Sequence, residues 1–191
     1  TYYTRVSAAA MLLKLALHNA NGSIRWHDLD ALGALRIADL SCGTGTLLTA
    51  AADAVMENYV RASTKQGQHV HLDMLHKVLV EQVIYGYDVL PSATHLTAST
   101  LALRSPQITF GKMNLYNLPH GGPQLRLGSL EFLKGESVQM PLDLFGATPK
   151  IQQMAGNTVA QMPDAPLPKL DLCAINPPFT RSVGGNLLFG S

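Results

Sequence analysis

Charge is scarce in this sequence and nearly balanced: 14 Lys and Arg stand against 13 Asp and Glu, a net charge of +1 over 191 residues. No basic run is longer than a pair. Such a chain has no bulk positive field to attract a polyanion, so most of any grip on nucleic acid is expected elsewhere. It also lacks a signal peptide and any apolar stretch of transmembrane length, which argues against a membrane role and for the cytoplasm. There are only two cysteines, Cys42 and Cys173. They are expected to be small buried apolar residues near the tips of adjacent strands, in a reducing compartment. The seven histidines do not cluster with acids at ligand spacing, so no metal site is expected. His69, His71 and His76 fall in a polar insertion and are expected to be solvated. No internal repeat or low-complexity tract is visible.

With 47% hydrophobic residues the chain can bury one sizeable core. The clearest local unit begins at Arg36-Ile37-Ala38-Asp39-Leu40, a short apolar strand signal. The turn Ser41-Cys42-Gly43-Thr44-Gly45-Thr46 follows, and then a run from Leu47 with strong helix composition. Strand, glycine turn and helix form a nucleotide-binding βα unit, in which glycines admit a ligand to the backbone and the helix start offers unpaired N–H groups. Leu47 and Leu48 occupy the stretch where a dinucleotide fingerprint would place its third glycine, and no Gly-Lys-Ser/Thr follows. The loop therefore suits a ligand without a pyrophosphate.

Residues 82–87 read as the next strand, ending at Asp88, which can hold ribose hydroxyls, cap the helix predicted over 91–103, or do both. The gap from Asp39 exceeds what one helix needs; helical periodicity over 71–81 predicts an inserted helix. Residues 105–124 read as a helix tail and loop, 125–130 as a strand, and the proline-containing stretch 134–169 as a partly mobile excursion over the open site. Residues 1–20 are predicted to be a helical lead-in broken at Asn21-Gly22, and 26–34 a connector or short helix.

Near the end, the apolar run 170–175 reads as a buried strand that delivers Asn176-Pro177-Pro178-Phe179. The prolines remove backbone donors and narrow φ, so this polar hook needs little ordering on binding. The amide oxygen of Asn176 and the carbonyl of Pro177 can accept from an exocyclic amine, while Phe179 can stack on a planar ring. A plain strand followed by a Pro-Pro turn would read the same way locally.

Together, and in this order, these segments resemble the S-adenosylmethionine-dependent adenine-N6 DNA methyltransferases, particularly the group that includes modification subunits of type I restriction systems. The resemblance rests on Asp39-Leu40-Ser41-Cys42-Gly43-Thr44-Gly45, on Asn176-Pro177-Pro178-Phe179, on Tyr2-Tyr3-Thr4 ahead of a helix, and on residues 125–130. It implies a Rossmann-like class I methyltransferase fold: an α/β architecture whose parallel sheet has helices on both faces, here expected to end after a fourth strand. Residues 1–35 would be a helical lead-in with a cofactor motif, and 36–191 a partial core from a longer protein, exposing an unfinished sheet edge.

The resemblance further implies cofactor contacts from Tyr3, Thr4, Asp39, Ser41, Cys42, Gly43, Thr44, Gly45, Asp88, Val89 and Ser129. Ser129 stands where the family usually carries an acid and would meet the adenine edge more weakly. The catalytic residues would be Asn176, Pro177, Pro178 and Phe179, and the partners double-stranded DNA through the parent protein and a specificity or restriction subunit. Methylation of ribosomal RNA or of protein glutamine uses the same tetrapeptide and remains open, as does a non-catalytic cofactor-binding role.

Overall fold

A computed structural model describes residues 4–18, 24–118, 151–155, 158–162 and 167–177. Its sheet contains β1 (Ile37–Asp39), β2 (Ile84–Asp88), β3 (Asn114–Asn117), β4 (Ile151–Ala155), β5 (Thr158–Met162) and β6 (Leu172–Cys173), in the order β5-β4-β3-β2-β1-β6. The four strands β3, β2, β1 and β6 are parallel, and β4 and β5 join antiparallel beside β3. The helices are α1 (Val6–Ala16), α2 (Leu29–Gly33), α3 (Thr46–Lys65), α4 (Leu72–Val78) and α5 (Pro91–Ala102).

Parallel strands need crossovers, and α3 and α5 supply them from β1 to β2 and from β2 to β3. Both crossovers step in the same direction along the sheet, so the shared right-handed sense puts both helices on one face. Side-chain alternation agrees. Ile37, Ile84 and Leu115 point into a core with Leu48, Val55, Ala98 and Leu101 of those helices. Ala38, Tyr87 and Tyr116 point to the opposite face, where they cluster with Leu40 and Leu118. Tyr87 and Tyr116 stack there at 5.2 Å between ring centres. The expected helices on both faces are thus found on one face among the described residues.

Helix α1 buries Ala9 and Leu13 against α3. Its Lys14 pairs with Glu57, and Asn58 donates to the carbonyl of Leu17 at 2.8 Å. The end of α1 meets the middle of α3, while Thr4 before α1 reaches Asn176 beside the loop that starts α3, so the two helices run alongside each other and start at the same end.

The predicted inserted helix is present as α4, continued by a π-helical turn over Leu79–Val83 that feeds β2. Other expectations are overturned. Residues 114–117 form β3 rather than loop, because Asn114 and Asn117 donate their side-chain amides to the carbonyls of Glu81 and Asp88 beside them. Within the stretch read as an excursion over the site, Ile151–Ala155 and Thr158–Met162 pair antiparallel as β4 and β5 instead. His76 is fully buried, not solvated; one ring nitrogen lies 2.9 Å from the carbonyl of Leu101, and the ring meets Phe110 edge-on. The strand expected at 125–130 lies outside the described residues.

Gly86 sits in a tight spot between β3 and α3: an added Cβ would lie 2.6 Å from Leu115 Cδ2 and 2.9 Å from Leu48 Cδ1. Both leucines are buried in the core, so their methyl groups would have to shift among packed neighbours. Gly86→Ala should therefore lower stability by about 1–3 kcal/mol, read as a drop in the denaturant midpoint at unchanged slope.

Candidate functional site

Strand β1 ends in a carboxylate, Asp39, that forms no ion pair among the described residues. Asp39 is buried, and its Oδ1 accepts the N–H of Ser41 at 3.0 Å, which starts the turn. The N–H of Cys42 reaches across to the carbonyl of Tyr87 at 2.9 Å, and that of Gly45 closes back on Cys42 at 2.8 Å. Gly43 and Gly45 both take left-handed φ, +54° and +80°. A side chain at Gly45 would press on Thr97 of α5, with 2.9 Å to its Cγ2, whereas a Cβ at Gly43 would meet nothing closer than 4.0 Å. The two glycines therefore do different things. Gly45 lets the loop pack against α5, and Gly43 leaves its backbone open to approach.

The second acid fixes this loop. Asp88, at the tip of β2, accepts the N–H of Gly43 through Oδ2 and that of Leu90 through Oδ1, both at 2.9 Å. Thr97 donates its hydroxyl to the carbonyl of Gly43 at 3.0 Å, so the peptide groups on both sides of Gly43 are held. Asp88 is not the cap of α5: Leu90 occupies that position without a side-chain capping bond, and Pro91 begins the helix. Helix α3 likewise starts from Gly45 with no side-chain cap and no acid in its first turn, leaving N–H groups at the loop without intrahelical partners.

The third element arrives on the other side of β1. Leu172 and Cys173 pair with Ile37 and Ala38, and Ala174 donates to Ala38 at 2.9 Å. Asp171 fastens the start of this strand by accepting the N–H of Arg36 at 2.8 Å. The chain then reaches Asn176, whose main-chain carbonyl accepts the Ser41 hydroxyl at 3.3 Å. The Asn176 side-chain nitrogen donates to the Thr4 hydroxyl at 2.9 Å, which turns the amide oxygen away from Thr4.

Thr4, Asp39, Ser41, Cys42, Gly43, Thr44, Gly45, Asp88, Val89, Asn176 and Pro177 thus gather at the carboxyl ends of β1, β2 and β6. The order of the sheet reverses between β1 and β6, since β2 and β3 lie on one side of β1 and β6 on the other. That is the crevice where open α/β sheets take ligands. Tyr3, Ser129, Pro178 and Phe179 lie outside the described residues. Cys42 can serve only through its backbone, because its thiol is buried toward Thr97. Cys173, expected to be buried, is exposed on the described sheet edge. Thr97 was not anticipated. The available signal was a hydroxyl on the inward stripe of α5, between Thr94 and Leu101.

Two clefts lie elsewhere. One of about 590 Å³ is lined by His27, Asp28, Tyr59 and His71, and one of about 290 Å³ by Trp26, Asn58 and Arg61. Both adjoin the far end of α3, at the amino ends of the strands. Cleft volume and backbone chemistry therefore point to opposite ends of the sheet. The strand tips outweigh the clefts here because unpaired helix-start N–H groups, two buried acids and a fixed amide converge there. Among the described residues no group of His, Cys, Asp and Glu could hold a metal ion. No protein-family model matches the chain, and no curated protein matches it.

Burial raises the Asp39 carboxyl to about 7, with Asp88 adding to the rise and the Ser41 N–H opposing it. The folded protein thus binds a proton at Asp39 more tightly than the unfolded chain, whose carboxyl has its ordinary value of 3.8. The resulting stabilisation is complete below that value and is lost as pH rises through about 7. Asp39→Asn keeps an acceptor for Ser41 and removes the titration. Thermal melts across this range should lose part of their fall in stability with rising pH; an unchanged profile would assign it to other groups.

Proposed function

We propose that this chain carries the cofactor half and the catalytic hook of an S-adenosylmethionine-dependent methyltransferase acting on the exocyclic N6 of adenine in DNA, within a restriction-modification or related system of the cytoplasm. The observation that carries the reading is the contact of the glycine loop with the prolyl hook, Ser41 to Asn176, at the point where strand order reverses. A donor at the loop and an acceptor at the hook would be neighbours. Among the described residues no helix is long and apolar enough to cross a membrane.

The loop residues suit the cofactor. Gly43 presents open backbone, and the start of α3 offers N–H groups to a carboxylate such as that of a methionine moiety. A cationic ligand beside Asp39 would favour its ionised form. When bound, the sulfonium group supplies an activated methyl and a good leaving group.

The chain's own residues deal with the acceptor. An aromatic amine shares its lone pair with its ring and is a poor nucleophile. The oxygen of Asn176, turned away from Thr4, and the carbonyl of Pro177 would accept its two hydrogens and favour the pyramidal nitrogen of the transition state. Neither is a strong base, so the proton leaves after transfer. Phe179 would stack on the extruded base, offsetting about 1–3 kcal/mol of the unstacking cost. Thr4 belongs to this machinery as a positioning residue, since it sets which way the Asn176 amide faces.

Calorimetry with S-adenosylmethionine, followed by labelled-methyl transfer from the full-length parent to DNA, RNA and a glutamine-containing protein, tests the proposal. Transfer is expected to DNA adenine; label on RNA or protein alone would move the chain to another substrate class. Asn176→Ala and Phe179→Ala should each abolish transfer while cofactor binding survives. Wild-type rates in either variant would remove the hook from catalysis.

A further inference from the structure

At the far end of α3 a cleft of about 290 Å³ is lined by His18, Trp26, Asn58, Arg61, Ala62 and Lys65. Four of these residues, Asn58, Arg61, Ala62 and Lys65, recur at helical spacing and form one stripe of α3. Trp26 and Ala62 supply the apolar wall. His18, just past α1, adds an imidazole, and among the described residues no carboxylate lines the cleft.

Two features are unexplained by the fold. Arg61 and Lys65 stand one helical turn apart, a spacing at which like charges repel, and neither forms a salt bridge among the described residues, although Arg61 also feels Glu57 one turn before it. The nearby Glu57 is held by Lys14, and the other ion pairs join Arg25 to Asp28 and Arg104 to Asp53. Second, Trp26 is buried with 3% exposure, and its ring N–H has no hydrogen-bond partner. An unpaired buried donor costs about 1–3 kcal/mol and calls for an explanation. Asn58 meanwhile anchors the assembly: its Nδ2 donates to Leu17, and its oxygen accepts from Arg61, steadying the guanidinium at the cleft.

The geometry points to an oxyanion site, built to take a phosphate group of a small ligand. Arg61, Lys65 and His18 offer donors from several sides, which suits a tetrahedral acceptor better than a flat one. The volume lies at the small end of ligand pockets, about 300–1,000 Å³, and favours a single phosphate or monoester over a dinucleotide. Bound phosphate would neutralise the Arg61–Lys65 repulsion. The site lies at the opposite end of the sheet from the glycine loop and stands whether or not the chain methylates anything.

Trp26 is the sole tryptophan of the sequence, so intrinsic fluorescence reports on this cleft directly. The 191-residue chain would be titrated with sodium phosphate, with adenosine monophosphate, and with sodium chloride at matched ionic strength. A saturable change with phosphate or the monoester, absent with chloride, is expected; the stronger of the two identifies a free or nucleotide-borne phosphate. Lys65 is exposed, so Lys65→Ala should fold normally by circular dichroism while weakening binding about tenfold, and Lys65→Arg should restore it. No saturable signal beyond the chloride control, or equal affinity in wild type and Lys65→Ala, would overturn the site.

Discussion

Parallel pairing on both sides of β1 is the constraint from which the rest follows. Strands that run in the same direction release their chains at the same end, so the turns after β1, β2 and β6 must share one edge of the sheet. Only there can a segment after Leu172 and Cys173 meet a loop after Asp39. The reversal of strand order at β1 then keeps the two crossovers, α3 and α5, from filling the space between that loop and the hook.

Within this edge the two buried acids divide the work. Asp88 receives N–H donors on both oxygens and locks Gly43 against the start of α5. Asp39 receives one, from Ser41, and lies deeper, so burial raises its proton affinity while Asp88 adds to the effect. One carboxylate acts as a clamp and the other as a titrating group. The loop is further braced by Thr97, which makes α5 a structural partner of the site although it contributes no residue to the glycine turn.

Local signals carried the βα unit through its glycine turn and helix composition, the inserted helix through its periodicity, and α5 through the proline at its start. They failed where partners lie far away in the chain. Asn114 and Asn117 read as loop formers, yet both satisfy their amides on the neighbouring strand and the turn before it. The β4–β5 hairpin was obscured by the surrounding prolines, although Gly156-Asn157 between two short β-prone runs was a usable hairpin signal. His76 was judged by the polarity of its segment; its place beside Leu75 and one turn before Leu79 and Val80 marked an inward face.

The sequence alone determined the kinds of chemistry on offer: glycines able to take left-handed φ, acids at strand ends, and an amide stiffened by prolines. These are properties of single residues and their immediate neighbours. The tertiary structure alone decided which of them meet. Ser41 touches Asn176 across 135 residues, and Thr4 orients its amide across 172. Such contacts depend on strand order and on how α1 packs along α3, which are set by burial of the whole core rather than by any local propensity.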